Sequence, residues 1–438
     1  MNLPYYTRRN PLYDKGVKLP SALCVLSAGL LMAQPAPDPA ATARKVVDLM
    51  LAGKYSDAFQ MFAPDMQKDI PEAQVAKIGA GYKAWGAMEE IGQVETRRAG
   101  PNTLVVLPAK FASQTVRFQI AVNSAGQIAA MVAFPAGAAW QRPPYSKPDS
   151  FHERDVSVGD GNWKLPGTLT IPNGNGPFPA VVLVHDSGPN DRDETVYSIK
   201  PFKDLAEGLA SRGIAVLRYE KRTKQYRAKM TGMAGLTYGE ETVDDAVKGA
   251  ALLREQKEVD PQRIFILGHG LAGYLAPRIA AEDGKLAGVV ILAGSARPLE
   301  DVILDQAVNG GVPAKALDSA KAQAARIKAL EPADADAPQI MNLPVSYWLD
   351  LKGYDAAAEA KKLAVRMLIL QGERDYQVSM KDFNLWKAGL AGRKDVLLRS
   401  YPALNHLFVA GEGKSTDAEY RKPGHVSPEV IDEIAKWI

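Results

Sequence analysis

The stretch Ile264-Phe265-Ile266-Leu267-Gly268-His269-Gly270-Leu271-Ala272-Gly273 decides how the rest of the chain is read. An apolar β-type run ends in small residues. A helical pattern of Leu271, Tyr274, Leu275 and Ile279 begins at once. This is the pattern of a strand–turn–helix elbow, in which Gly-x-Ser-x-Gly lifts a serine hydroxyl above the carboxyl edge of a parallel sheet. Such a turn needs small residues because its apex has strained backbone angles and its helix approaches the strand closely. Gly268 and Gly273 meet that need. The apex is Gly270, which has no side chain to attack anything, and Ala272 stands where a second glycine is usual. The elbow is therefore present without its nucleophile.

Working outward, strands and helices alternate on both sides. Strand patterns fall at Ala180–His185, Ile214–Tyr219, Gly288–Leu292, Val365–Gln371 and Val396–Ser400, with helical patterns at Pro201–Ser211, Thr242–Gln256, Leu271–Glu282, Met380–Ala391 and Pro428–Ile438. Several strands are continuous apolar runs, as parallel strands buried on both faces require. An entry hairpin, Glu153–Val158 and Lys164–Ile171, precedes them. The prediction is a doubly wound, mostly parallel α/β sheet over residues 151–438. An Ala-rich insertion at 297–362 carries helical patterns and is expected to form a cap over the carboxyl ends of the strands. Tyr347 and Trp348, an aromatic pair in this insert, are candidates for lining a pocket or for packing the cap's own core.

Ahead of this lies a different pattern. Residues 42–135 read as helices, the last over Pro71–Trp85, followed by strands at Gly92–Arg98, Thr103–Phe111, Gln114–Val122 and Gln127–Phe134. Helices followed by a meander make a small α+β domain. Residues 136–150, rich in Ala, Pro and Ser, read as a linker with sparse contacts. At the start, Lys15 and Lys18 precede an apolar run from Leu19 to Ala33, which is too short to span a bilayer and suits the core of a signal peptide over residues 1–34. Export to the periplasm or medium is the corresponding expectation.

Composition excludes several classes. Apolar residues make up 46% and charged residues 24%, as in ordinary globular proteins. A net charge of +3 is too small to argue for nucleic acid or an anionic membrane. Cys24 is the only cysteine, so there is no internal disulfide and no cysteine-based metal site. Asp191, Asp193 and Glu194 lack a spaced histidine partner and read as a loop ion-pair cluster with Arg192, and Gly413-Lys414-Ser415 lacks the first glycine of a phosphate loop. No cofactor and no metal are expected.

Partners for a nucleophile follow the elbow in the order acid, then histidine. Asp375 sits just past the strand Met367–Leu370, ahead of Glu373 as candidate acid because a short side chain on a tight loop orients a histidine best. His406 follows the last strand as candidate base, whereas His425 reads as a neighbour of the terminal helix cap and His269 as packing beneath the elbow. After the strand Val181–Val184 comes His185-Asp186-Ser187-Gly188-Pro189-Asn190-Asp191-Arg192-Asp193. Here the backbone N–H of Ser187 is placed to pair with that of Leu271 in an oxyanion hole. Asp186 stands where glycine is usual.

Together with Leu217-Arg218-Tyr219-Glu220-Lys221-Arg222, Gly372-Glu373-Arg374-Asp375 and Asn405-His406, these residues carry a resemblance. From about Phe151 onward the chain resembles the secreted esterase branch of the α/β-hydrolase superfamily, with dienelactone-hydrolase-like and acyl-peptidase-like relatives. The domain in front resembles the nuclear transport factor 2-like cone. The resemblance implies a carboxylic-ester hydrolase acting on a small ester or peptide-like substrate through serine, histidine and aspartate, with neither nucleic acid nor a membrane span involved. The departures at Gly270, Ala272 and Asp186 fall on the catalytic motifs. Three readings follow: an esterase by descent with weak or lost activity, a non-catalytic binder that keeps the pocket, or slow hydrolysis by a water that His406 activates. On the first, Gly270→Ser is expected to raise activity, with Asp186→Gly as its companion.

Overall fold

The computed structural model describes residues 38–135, 140–230, 233, 235–341 and 343–438. The signal-peptide reading of residues 1–34 lies outside them. The chain divides into two compact units, one holding the N-terminal residues through Ala133 apart from 114–116, the other those three residues and Phe134–Ile438.

In the first unit, helices α1 (Pro39–Leu51), α2 (Tyr55–Gln60), α3 (Pro64–Asp69) and α4 (Glu72–Gly81) precede a five-stranded sheet of β1 (Met88–Ile91), β2 (Glu95–Ala99), β3 (Asn102–Phe111), β4 (Thr115–Val122) and β5 (Ile128–Pro135). Asp38 caps α1 through its side chain, and Pro39 opens the helix, where its missing N–H costs nothing. The strand expected at Gly92–Arg98 is β2, beginning at Glu95, and the sequence reading gave no strand at β1 before it; both pair antiparallel to β3. The helix expected over Pro71–Trp85 ends at Gly81 and tightens into a 3₁₀ turn, Tyr82–Trp85. Tyr82 and Trp85 stack there, and both meet Phe118 edge-on.

The second unit is built on an eight-stranded sheet in the order β13-β12-β11-β10-β8-β9-β7-β6. Its strands are β6 (Phe151–Val158), β7 (Leu165–Pro172), β8 (Phe178–Val184), β9 (Ala215–Tyr219), β10 (Val259–His269), β11 (Gly288–Leu292), β12 (Arg366–Gly372) and β13 (Val396–Tyr401). β7 pairs antiparallel with both β6 and β9, and the other pairings are parallel. Alternation along each strand sends neighbouring side chains to opposite faces. Val181, Leu183, Phe265 and Leu267 accordingly pack with α5 (Pro201–Ala210) and the C-terminal helix. Val182, Val184, Ile264 and Ile266 pack on the other face with α8 (Asp244–Arg254) and α9 (Leu271–Asp283). Between α5 and α8 lie two short helices, α6 (Arg222–Gln225) and α7 (Arg227–Met230), and a π turn at Gly239–Val243. The helix expected from Thr242 thus begins as a wider turn.

The insertion between β11 and β12 holds α10 (Leu299–Asn309), α11 (Ala314–Lys328), α12 (Val345–Leu351) and α13 (Ala356–Lys362). α14 (Met380–Gly389) and α15 (Pro428–Trp437) complete the unit. The sequence reading gave no helix at α12, between its helical patterns at Ala314–Leu330 and Tyr354–Lys361. Arg278 on α9 grips Asp350 of α12 at 3.0 Å, tying the insertion to the elbow helix.

The linker expectation for residues 136–150 needs correction over 140–150. Trp140 Nε1 donates to Asp204 Oδ1 at 2.8 Å, Arg142 pairs with Glu207 at 2.7 Å, and the Tyr145 hydroxyl donates to the carbonyl of Val426 at 2.8 Å. Asp204 and Glu207 are buried acids on α5 and need such donors. The Pro- and Ala-rich composition hid three anchoring side chains. Tyr145→Phe, which loses one of these bonds, is expected to destabilise this unit by about 1 kcal/mol, read by urea denaturation.

Candidate active site

The elbow has the backbone its sequence calls for. Gly270 follows β10 at φ 52°, ψ −113°, in the left-handed half of the map that glycine enters without strain. A Cβ on Gly268 would fall 2.6 Å from the carbonyl carbon of Ala272, and one on Gly273 would fall 2.7 Å from Cα of Gly294. Strand, turn and helix are in van der Waals contact and admit no larger side chain at either position. Ala272 is itself fully buried in the core beneath α9, so its methyl has a place.

Asp375 lies past β12 and His406 past β13, and they meet with His406 Nδ1 to Asp375 Oδ2 at 2.7 Å. The acid is fixed from several sides. Its Oδ1 accepts from the backbone N–H groups of Gln377 and Val378 (2.8 and 3.0 Å), and its Oδ2 accepts from Gln371 Nε2 at 3.1 Å. Glu373, the alternative acid, accepts from Ser400 in an exposed contact away from the imidazole. The loop bearing His406 is held by Asn405, whose Oδ1 accepts from the N–H of Leu407 and of Val409, and by Arg374, which donates to three loop carbonyls and to Glu419. His425 pairs with Asp204 and takes no part.

What fills the nucleophile's place is Asp186. Its Oδ1 accepts from the backbone N–H of Leu271 at 2.7 Å, and its Oδ2 lies 3.3 Å from His406 Nε2. A Cβ on Gly270 would stand 2.7 Å from Asp186 Oδ2, and closer still to Oδ1 and Cγ. A side chain at 270 and this carboxylate therefore exclude one another. Of the two N–H groups read from the sequence as an oxyanion pair, one is occupied. The Leu271 N–H is taken by a resident carboxylate, while Ser187 lines the adjoining cavity beside Leu271.

Asp186 is held by its own backbone. Its N–H donates to Glu194 Oε1 at 2.7 Å, and its carbonyl accepts from Lys221 Nζ at 2.8 Å and from Asn190 Nδ2 at 3.0 Å. Glu194, buried at φ 52°, also binds His269 Nδ1 at 2.8 Å, and His269 Nε2 bonds the carbonyl of His406 at 3.0 Å. His269 packs under the elbow and couples the Asp186 loop to the His406 loop. The expected cluster around Arg192 is different in detail. Asp193 pairs with Arg218 and Lys200, Glu194 serves His269, and Arg192 itself reaches Glu220 at 2.9 Å. Glu194 and Lys221 are the site residues that sequence reasoning passed over. Both sit in stretches rich in acids and bases, where one charged residue looks like the next.

Burial alone would strip the proton from His406, but the carboxylates of Asp375 and Asp186 outweigh it and push its pKa up to about 10. The same pairing holds Asp186 well below the usual carboxylate range, against the opposing effect of burial. At neutral pH the imidazolium is thus clamped between two carboxylates. Because the folded pKa of His406 lies above its ordinary 6.5, this charge favours the fold fully below pH 6.5, and the contribution fades as pH rises towards about 10. Asp186→Asn is expected to lower the His406 pKa by about 1–3 pH units, measured by NMR titration of the ring. Asp186, His269 and His406 also bring one metal-ligating atom each within 4.8 Å of one another. Both ring nitrogens of His269 are engaged, so it offers no lone pair to an ion.

Beside the elbow lies a cavity of about 630 Å³, lined among others by Ser187, Met230, Tyr238, Glu241, Leu271 and Tyr347. Tyr347 meets the ring of Tyr238 edge-on at 4.7 Å, and Glu241 forms a buried pair with Lys221 at 3.0 Å. Trp348, expected beside Tyr347, points the other way. It packs in the insertion's own core with Ile327, Leu330, Ile340 and Val345, and its Nε1 donates to the carbonyl of Ile340. Adjacent residues on a helix face about 100° apart, so the two rings cannot share a wall.

A family described as a protein of unknown function, DUF3887, matches residues 43–131, which fits the small helix-and-meander accessory unit. The chain is 44% identical over 308 residues to the esterase EstD of Thermotoga maritima, taking in 68% of this chain and 70% of that protein. Weaker structural likenesses include an esterase of Pyrococcus furiosus (TM-score 0.42, 15% identity, 69% of this chain and 97% of that one) and a 2,6-dihydroxy-pseudo-oxynicotine hydrolase (TM-score 0.41, 18% identity, 66% of each). With an elbow, an acid and a histidine in the order of a hydrolase and this degree of identity to EstD, the chain belongs to the same esterase family.

Proposed function

We propose that this protein is a carboxylic-ester hydrolase by descent whose site, as it stands, is closed to serine chemistry. The observation that carries the reading is the Asp186 carboxylate lying between the Leu271 N–H and His406 Nε2. Those two groups would bind the oxyanion and activate the nucleophile in a complete triad. Here a fixed negative charge satisfies both. It also holds the proton on His406 Nε2, which weighs against slow hydrolysis by a water activated at that ring. Asp375 and His406 are proposed as retained acid and base, Leu271 and Ser187 as the oxyanion donors, and the cavity beside Tyr347 as the seat of a small, largely apolar ester.

The test is hydrolysis of a short-chain chromogenic ester by the protein, by Gly270→Ser, by Asp186→Gly and by the variant carrying both changes. Activity confined to the double variant supports the proposal. Brisk turnover by the protein itself would overturn it, and four inert proteins would favour the binding reading. Export belongs to the same proposal and rests on Lys15, Lys18 and the apolar run that follows. Recovery of exported protein with a new N-terminus near Gln34 would support it. An accessory role for residues 42–135 is proposed on their separate sheet and core.

A further inference from the structure

We infer that Asp186 is a nucleophile in its own right, directed at saturated carbon, and that the substrate class it fits is a small apolar epoxide. This goes beyond ester hydrolysis and does not depend on it. Three observations lead there. The carboxylate stands where the elbow would present its side chain. It is the exposed member of the charged group, with 23% of its side chain accessible against 3% for His406 and none for Asp375. Its two oxygens are differently placed, Oδ1 on a backbone N–H and Oδ2 beside an imidazole N–H.

Chemistry selects the electrophile. A carboxylate that attacks an ester carbonyl forms an anhydride and must expel an alkoxide, a far poorer leaving group than itself, so that intermediate reverts. Attack on saturated carbon forms a stable alkyl ester instead, a covalent intermediate of the kind carboxylates support. The proton on His406 then favours a leaving group that needs one. At 3.3 Å its contact with Oδ2 is long for a charge-assisted bond, so the N–H is not fully committed to Asp186.

The steps balance as follows. An Oδ2 lone pair of Asp186 bonds to a ring carbon of the epoxide. The carbon–oxygen bond of the ring breaks, and its oxygen takes the Nε2 proton of His406. Asp186 is now a neutral ester, so His406 has lost one of the two charges that held its proton and is a competent base. It removes a proton from water as the water oxygen bonds to Cγ of Asp186. The negative charge that forms on Oδ1 is met by the Leu271 N–H. Collapse breaks the Cγ–Oδ2 bond, and the departing alkoxide takes the remaining proton of the water. The products are a diol, the carboxylate and the imidazolium, so the resting ion pair is restored. Met230, Leu236, Leu271 and Leu343 on the cavity wall suit an apolar substituent on the ring.

The full chain should be incubated with styrene oxide. Diol formation is expected, with loss of turnover to the uncatalysed level in Asp186→Asn. In His406→Gln turnover should fall to the uncatalysed level, because that ring both protonates the epoxide oxygen and deprotonates the water. In the unmodified protein an acid quench should trap the alkyl ester, raising the intact mass by that of one epoxide, with the adduct mapped to Asp186. A single turnover in ¹⁸O-water by the unmodified protein should place label in the Asp186 carboxylate and not in the diol. Label in the diol alone, turnover that survives in Asp186→Asn, or absence of both diol and adduct would each overturn the inference. The labelling arm uses no variant, so a folding defect cannot blur it. Ester hydrolysis by the double variant described above is unaffected by the outcome.

Discussion

The Asp186→Gly/Gly270→Ser double variant is expected to hydrolyse short-chain esters at least about 10³-fold faster than the protein as it stands, while each single variant stays near background. The reason is steric before it is chemical. With Asp186 in place, a serine Cβ at 270 would meet its carboxylate inside van der Waals contact. The sequence alone led to the expectation that Gly270→Ser raises activity by itself. The structure revises this, because the serine must displace a carboxylate held by Leu271 and His406. Removing Asp186 alone frees the oxyanion donor and His406, yet supplies no nucleophile. Only both changes give a hydroxyl, an open oxyanion hole and a histidine paired with a single carboxylate. Serine at φ 52° also carries strain that glycine avoids, so the double variant is expected to lose about 1–3 kcal/mol of stability as it gains activity. Rates and urea denaturation on the same four proteins check both halves.

The second large effect concerns the join between the sheet and the insertion. Asp382 on α14 is fully buried. It takes a two-pronged bond from Arg297, with Nε to Oδ1 at 3.0 Å and Nη2 to Oδ2 at 2.7 Å. The Ser295 hydroxyl and the Ala296 N–H donate to the same carboxylate at 2.9 and 3.2 Å. These donors sit where the chain leaves β11, so one acid fixes the base of the insertion. Asp382→Ala leaves a buried guanidinium short of its main partner and two further donors unmet. A loss of about 3–5 kcal/mol is expected in the urea transition of the C-terminal unit. Asp382→Asn keeps the shape and two acceptor lone pairs, and should cost clearly less.

Much of the frame was legible because it rests on local rules. The elbow showed in five small or apolar residues, and the positions of the strands along the chain in their apolar runs. Asp375 and His406 were legible because each follows a strand at the carboxyl edge. The Asp186 interaction was not legible. Sequence showed an acid in a position usual for glycine and a glycine in a position usual for serine, 84 residues apart. Only the folded sheet, with β8 beside β10, shows that the two departures fill one space. Trp348 and residues 140–150 failed for a related reason. Which way an aromatic on a seven-residue helix faces, and whether a Pro-rich segment finds buried acids to bind, are settled by partners far along the chain.

The central claim is that the Asp186 carboxylate occupies the place of the missing hydroxyl, and a crystal structure of the protein at neutral pH tests it most directly. The expected result is one Asp186 oxygen about 2.7 Å from the Leu271 nitrogen and the other about 3.3 Å from His406 Nε2. An Asp186 side chain turned to solvent, with water between Gly270 and His406, would contradict it.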